Sequence, residues 1–144
     1  MSGIVCAIRG GPASRPTIDK SIQMAAKTGL QLYFLYVVNL DFLSRTASSR
    51  VNLISKEMHE MGEFILLTAQ TKAETAGITA NGIVRSGTVG DEIITLCREI
   101  DADYVILGKP KSQQDENVFT HEQLSKYSQR IEQESGAKIV LADV

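Results

Sequence analysis

Two cysteines and two histidines are the whole supply of thiol and imidazole in 144 residues. Cys6 sits in an apolar strand pattern and Cys97 in a helix pattern, so they form neither a metal-ligand spacing nor a disulfide framework and read as small buried hydrophobes. His59, on a helix, and His121, at a helix start, lack a Ser or Cys nucleophile that spacing would tie to them, so both read as surface residues and catalysis finds little support. A basic field is missing too. Lys and Arg number 15 against 17 Asp and Glu, for a net charge of -2, which excludes nonspecific nucleic-acid binding. The longest apolar run, Leu32 to Val38, is far shorter than the roughly 20 residues a bilayer requires, so no membrane span is expected. Met1-Ser2-Gly3-Ile4 reaches Arg9 and Gly10 too early for a basic start, an apolar stretch and a cleavage site, and the expected compartment is the cytoplasm. No internal repeat or linker interrupts the chain, which reads as one domain spanning 1–144, with 43% hydrophobic residues for a sizeable core.

What is present is an alternation of short apolar runs with amphipathic helices. Ile4 to Ile8, bounded by Gly10, Gly11 and Pro12, has the continuous apolar character of a strand buried on both faces. Pro16 to Thr28 places Ile18, Ile22, Ala25 and Ala26 on one helical face and stops at Gly29. Leu30 to Val38 reads as a second buried strand. A long helix follows the polar stretch Asn39 to Ser49, with Ile54, Met58, Met61, Ile65 and Ala69 as its inward stripe and an end near Gly77. Ile78 to Arg85 interleaves Thr79, Asn81 and Arg85 with apolar residues, as an edge strand with one wet face does. After Gly87, Thr88 caps a helix through Ile100, with Ile93, Cys97 and Ile100 inward and Asp91 and Glu92 favouring its dipole. Asp101 and Asp103 read as a turn. Tyr104 to Gly108 is the fourth strand, followed by a polar loop to about Phe119 that includes Ser112 to Asn117. Thr120 and Gln123 form a capping box for a last helix with Leu124, Tyr127 and Ile131 inward, and Ile139 to Ala142 is the fifth strand. The order βαβαβαβαβ predicts an α/β fold, a five-stranded parallel open sheet with helices on both faces.

In such a sheet, ligands collect beyond the carboxyl ends of the strands, where helix starts converge. The stretch Tyr104-Val105-Ile106-Leu107-Gly108-Lys109-Pro110-Lys111 delivers the chain to that point. Arg9, Arg15, Lys109 and Lys111 are expected in the two flanking loops and Arg85 at the end of the edge strand, which makes a small anionic or phosphorylated ligand chemically reasonable.

Strand one followed by Arg9-Gly10-Gly11, the ending Tyr36-Val37-Val38, the long second helix, Gly87 before a helix, Asp103 to Gly108 and the terminal Ala137-Lys138-Ile139-Val140-Leu141 together resemble the universal stress protein family over the whole chain. The resemblance implies a Rossmann-like sheet and a regulatory role in the stress response without enzymatic turnover, acting through protein partners or a small ligand. It also implies a homodimer paired through the C-terminal strand, Ile139 to Ala142. That strand has no Pro and only Lys138 and Asp143 as flanking guards, so an open edge there invites pairing.

The family's ATP binders are similar in carrying G-x2-G-x9-G-[ST] after the fourth strand. Here Gly108 is the only glycine of that pattern. Lys111 replaces the second, and His121 and Glu122 replace the last glycine and the hydroxyl, so side chains occupy room that close backbone approach to phosphate requires. Arg9 stands where those binders have an aspartate, a donor in place of an acceptor. These departures argue against ATP binding in the family's manner. They leave ATP or AMP as candidate ligands, with an ATP/AMP-binding member that hydrolyses ATP slowly as the alternative. By this resemblance the cleft residues are Arg9, Gly10, Val38, Gly87, Gly108, Lys109, Lys111 and Thr120, with Thr120 offering its hydroxyl one position from the family's. No catalytic residue and no metal ligand is expected.

Overall fold

The sheet runs in the order β3-β2-β1-β4-β5 and every pairing is parallel. The strands are β1 (Gly3–Ala7), β2 (Gln31–Val38), β3 (Ala80–Ser86), β4 (Tyr104–Gly108) and β5 (Lys138–Ala142). They alternate with α1 (Arg15–Thr28), α2 (Ser48–Thr75), α3 (Val89–Ile100) and α4 (His121–Ser135). The computed structural model describes residues 3–9, 14–39, 48–108 and 121–142, and of 48–49 and 121–124 the backbone alone.

Alternate residues of each central strand feed two cores. Ile4, Cys6, Leu32, Phe34, Tyr36 and Ile106 point to the side covered by α1 and α2. Val5, Leu35, Val105 and Leu107 point to the side covered by α3 and α4. Phe34, Ile4, Leu35, Ile93 and Ile131 are fully buried, each stabilising the fold by about 1.5–3 kcal/mol relative to exposure. The continuous apolar runs of β1, β2 and β4 thus reflect burial on both faces. Among the described residues β3 pairs only with β2, and it exposes Asn81, as its alternating pattern implied.

Three helical expectations are corrected in detail. Met61 is 56% exposed; the inward face of α2 runs through Leu66, Ala69 and Ala73 instead. Ala26 is exposed, while Thr17 and Ser21 are buried against the sheet. Ser21 tolerates this because its hydroxyl donates to the Ile18 carbonyl at 2.7 Å. Thr88 is the N-cap residue of α3 but makes no side-chain cap hydrogen bond. The capping box expected at Thr120 and Gln123, and the polar run Ser112 to Asn117, fall outside the described residues and side chains.

The seat of α2 depends on two glycines. A Cβ at Gly62 would lie 2.5 Å from the Tyr36 ring, and one at Gly82 would lie 2.8 Å from Gln70 Oε1. Their bareness lets the helix approach β2 and β3, where Gln70 Nε2 donates to the Ala80 carbonyl at 3.0 Å. The helix is also longer than the sheet beneath it. Its 28 residues span about 42 Å, whereas the eight of β2 span about 26 Å. Because Gly62 faces Tyr36, Met58 still packs on the core and His59 meets Ser86 at the end of β3, residues 48–57 run on for about 15 Å past that level.

Candidate functional site

β1 and β4 are neighbours in the sheet, but the chain proceeds from β1 to β2 on one side and from β4 to β5 on the other. That divergence opens a crevice beyond their carboxyl ends. Arg9 lies there, exposed, just past β1, beside the buried Ile8. Gly108 ends β4 in the same place. A Cβ on Gly108 would come within 2.8 Å of Thr17 Oγ1, so the bare glycine gives the first turn of α1 room to lie against the end of β4. The first turn of α1 has no acidic residue, and Arg15 is exposed at its start. The positive end of the helix dipole and the guanidinium therefore present charge of the same sign.

The opposite wall is built by α3 and α4. A Cβ on the buried Gly90 would meet the Tyr127 ring at 3.0 Å, so the absence of a side chain lets α4 pack over the start of α3. Burial pushes the Tyr127 phenol above its ordinary pKa; the charges of Arg9 and Arg130 oppose that shift and Asp91 adds to it. Arg130 is held in turn by Asp91 and by Glu134. The expected carboxylate role of Asp91 at the helix start is thus combined with an ion pair to α4.

Val38 and Gly87 meet at the next strand end, where the Gly87 N–H donates to the Val38 carbonyl at 3.0 Å. Gly87 adopts φ 147°, a region L side chains rarely enter. Arg85 does not join the crevice. Its guanidinium bonds both Glu99 carboxylate oxygens, at 3.1 and 2.6 Å, and the pair holds the Glu99 carboxyl below its ordinary pKa. Gly10, Lys109, Lys111 and Thr120 lie outside the described residues. Of the expected cleft residues, Arg9 and Gly108 are therefore brought to the switch point, and Val38 and Gly87 are joined at the adjacent strand ends.

Sequence spacing missed one polar pair. Ser86 and His59, 27 residues apart, meet with Ser86 Oγ 2.9 Å from His59 Nε2. His59 Nδ1 is 2.8 Å from the Ser55 carbonyl, which can only accept. In the tautomer whose Nδ1 donates to that carbonyl, Nε2 is left to accept the serine hydroxyl. The polarity is that of a nucleophile and base, but the pair sits on edge strand β3, away from the β1–β4 crevice, and ties α2 to the sheet. The signal that could have shown it is the length of α2, which carries His59 to the level of the β3 terminus.

Cys6 and Cys97 are buried, and burial pushes both thiols up to about 12. A hollow of about 240 Å³ lies between α1 and β5, lined by Pro16, Asp19, Lys20, Gln23, Leu141 and Ala142. Ala142 is in register with Gly108, so this hollow is one strand over from the switch point. Among the described residues no cluster of His, Cys, Asp and Glu is arranged to hold a metal ion, and no helix is long and apolar enough to cross a membrane.

A model of the universal stress protein family matches residues 1–139. No curated protein sequence matches the chain. Among solved structures, a universal stress protein from Lactobacillus plantarum superposes with a TM-score of 0.76 at 13% identity, covering 98% of this chain and 97% of its own. A family member from Burkholderia pseudomallei gives 0.69 at 18% identity, covering 96% of this chain and 92% of its own. The universal stress protein from Archaeoglobus fulgidus in complex with dAMP gives 0.59 at 15% identity, with 99% and 98% covered.

Proposed function

The chain belongs to the universal stress protein family, and from that premise we propose a non-enzymatic regulatory module of the stress response that holds a small anionic or phosphorylated ligand at the β1–β4 switch point. The observation that carries this reading is the approach of α1 to Gly108, with Thr17 Oγ1 where a Cβ would crowd it. It brings the start of α1, whose first turn holds no acidic residue, against the end of β4, the strand that neighbours the one Arg9 follows. Phosphate is the group such a place favours, because amides and guanidinium donate and phosphate only accepts. Gly10, Lys109, Lys111 and Thr120 belong to the same proposed site by sequence position. The module works as a cytoplasmic homodimer paired through Ile139 to Ala142.

A nucleotide is the second reading, favoured by the dAMP complex of the Archaeoglobus fulgidus protein. In that reading AMP or ATP is the ligand, and slow hydrolysis of ATP is its enzymatic form. Phosphate release from ATP and magnesium tests the enzymatic form: the regulatory reading expects no release above buffer. Steady release that Arg9→Ala abolishes would overturn it. Where a phosphorylated ligand binds, Arg9→Ala weakens it by about 1–3 kcal/mol; unchanged affinity would remove Arg9 from the site.

A further inference from the structure

The large apolar side chains that α2 exposes are concentrated on one of its faces. Leu53, Met61, Phe64 and Leu67 are 58%, 56%, 70% and 60% exposed. Leu53, Glu57, Glu60, Phe64, Leu67 and Thr71 are all exposed and follow one another at steps of four and three, the spacing of a seam that receives a second helix. The threonines extend its apolar part. Thr68 and Thr71 turn their hydroxyls back to the Phe64 and Leu67 carbonyls at 3.0 and 2.8 Å, so neither hydroxyl needs water or a partner to satisfy it. The face is available in a dimer made through β5, because α2 packs on β2 and β3 at the other side of the sheet.

Charge decides the occupant. Glu57 and Glu60 stand within the seam, with Glu63 and Lys56 on its flank, all exposed, so carboxylates outnumber the one cation there. A second copy in parallel would set Glu57 on Glu57 and Glu60 on Glu60. In an antiparallel pairing about the middle of the seam, Glu60 would face Phe64 and Glu57 would face Leu67. Either arrangement desolvates more carboxylates than the one flanking cation, Lys56, can pair. An anionic lipid surface is repelled by the excess of carboxylates over Lys56 on this face. We propose that this face of α2 docks a basic amphipathic helix of a partner protein, whose apolar side chains cover Phe64 and Leu67 and whose Lys or Arg residues meet Glu57 and Glu60.

The test uses the full chain at physiological salt and a fluorescent model peptide about three heptads long, with Leu at the seam and Lys flanking it. Its counterpart has Glu in place of Lys. The Lys peptide is expected to bind by anisotropy and the Glu peptide not to. Phe64→Ser, an exposed position whose change leaves the core intact, should raise Kd about ten-fold or more. Glu57→Lys with Glu60→Lys should transfer binding to the Glu peptide. Equal binding of the Lys peptide by wild type and Phe64→Ser would overturn the proposal, as would its failure to bind. So would self-association in sedimentation, or capture by anionic vesicles, that Phe64→Ser abolishes.

Discussion

The two edges of the sheet are built to opposite ends. At β3 the strand is covered and guarded: α2 lies close over Gly82, Gln70 bonds the Ala80 carbonyl, Asn81 is exposed, and Arg85 is tied to Glu99. At β5 the strand reads Lys-Ile-Val-Leu-Ala, Ile139 and Val140 are only half-buried, and Leu141 is 37% exposed. Charge, glycine and a covering helix are the ordinary means of keeping an edge from pairing. β3 uses them, whereas β5 has few of them, which is the physical basis for proposing β5 as the dimer edge.

The comparison is broken most severely by unseating α2. Gly62→Val forces a side chain into the space of the Tyr36 ring, and chemical denaturation should show a loss of about 1–3 kcal/mol. An unchanged midpoint would mean that α2 is not held against β2 as described. At the other edge, Val140→Lys should convert the proposed dimer to monomer in sedimentation equilibrium, weakening association about ten- to a hundred-fold, or about 1.4–2.7 kcal/mol. The same change at Asn81 of the guarded edge should leave oligomeric state untouched. If Val140→Lys sediments like the wild type, β5 is not the interface.

The smallest effects are electrostatic and chemical. Glu99→Gln should lower the melting temperature slightly at neutral pH. A carboxyl held below its ordinary value in the fold contributes stability above the unfolded-state pKa and loses it as pH falls through the lowered folded value. The difference between wild type and Glu99→Gln should therefore close on acidification; a gap that persists in strong acid would contradict the assignment to Arg85. For Cys6 and Cys97, pushed up to about 12, iodoacetamide at mildly alkaline pH should label only unfolded chains. Stability should also decline as pH rises from about 9 towards 12, since the unfolded thiols release protons first. Rapid labelling of the native protein would place one thiol at the surface.

Much of the fold was legible because burial on two faces leaves a distinct mark. Ile4 to Ile8, Leu32 to Val38 and Tyr104 to Leu107 could hardly be anything except central strands, and the interleaving of Asn81 and Arg85 marked β3 as an edge. Met61 was misplaced because a Met and Ile stripe fits more than one rotation of a long helix, and only packing against Tyr36 fixes which face turns inward. The candidate site was legible at Arg9 and Gly108, whose positions follow from strand order. Two features were not. Arg85 is turned away by Glu99, 14 residues on, and Ser86 finds His59 only because α2 runs as far as the end of β3. Such contacts depend on lengths and rotations of elements that no local pattern encodes.

The central claim is that the β1–β4 crevice holds a phosphorylated ligand through α1 and Arg9 despite a family glycine pattern reduced to Gly108. Calorimetric titration of the purified protein with inorganic phosphate and small phosphate monoesters, with AMP and ATP–magnesium run beside them for the second reading, tests it most directly, with Gly108→Val as the comparison because its side chain would crowd Thr17. The account predicts saturable binding by the wild type and loss of binding by a folded Gly108→Val. No heat of binding at millimolar ligand, or equal binding by both proteins, would contradict it.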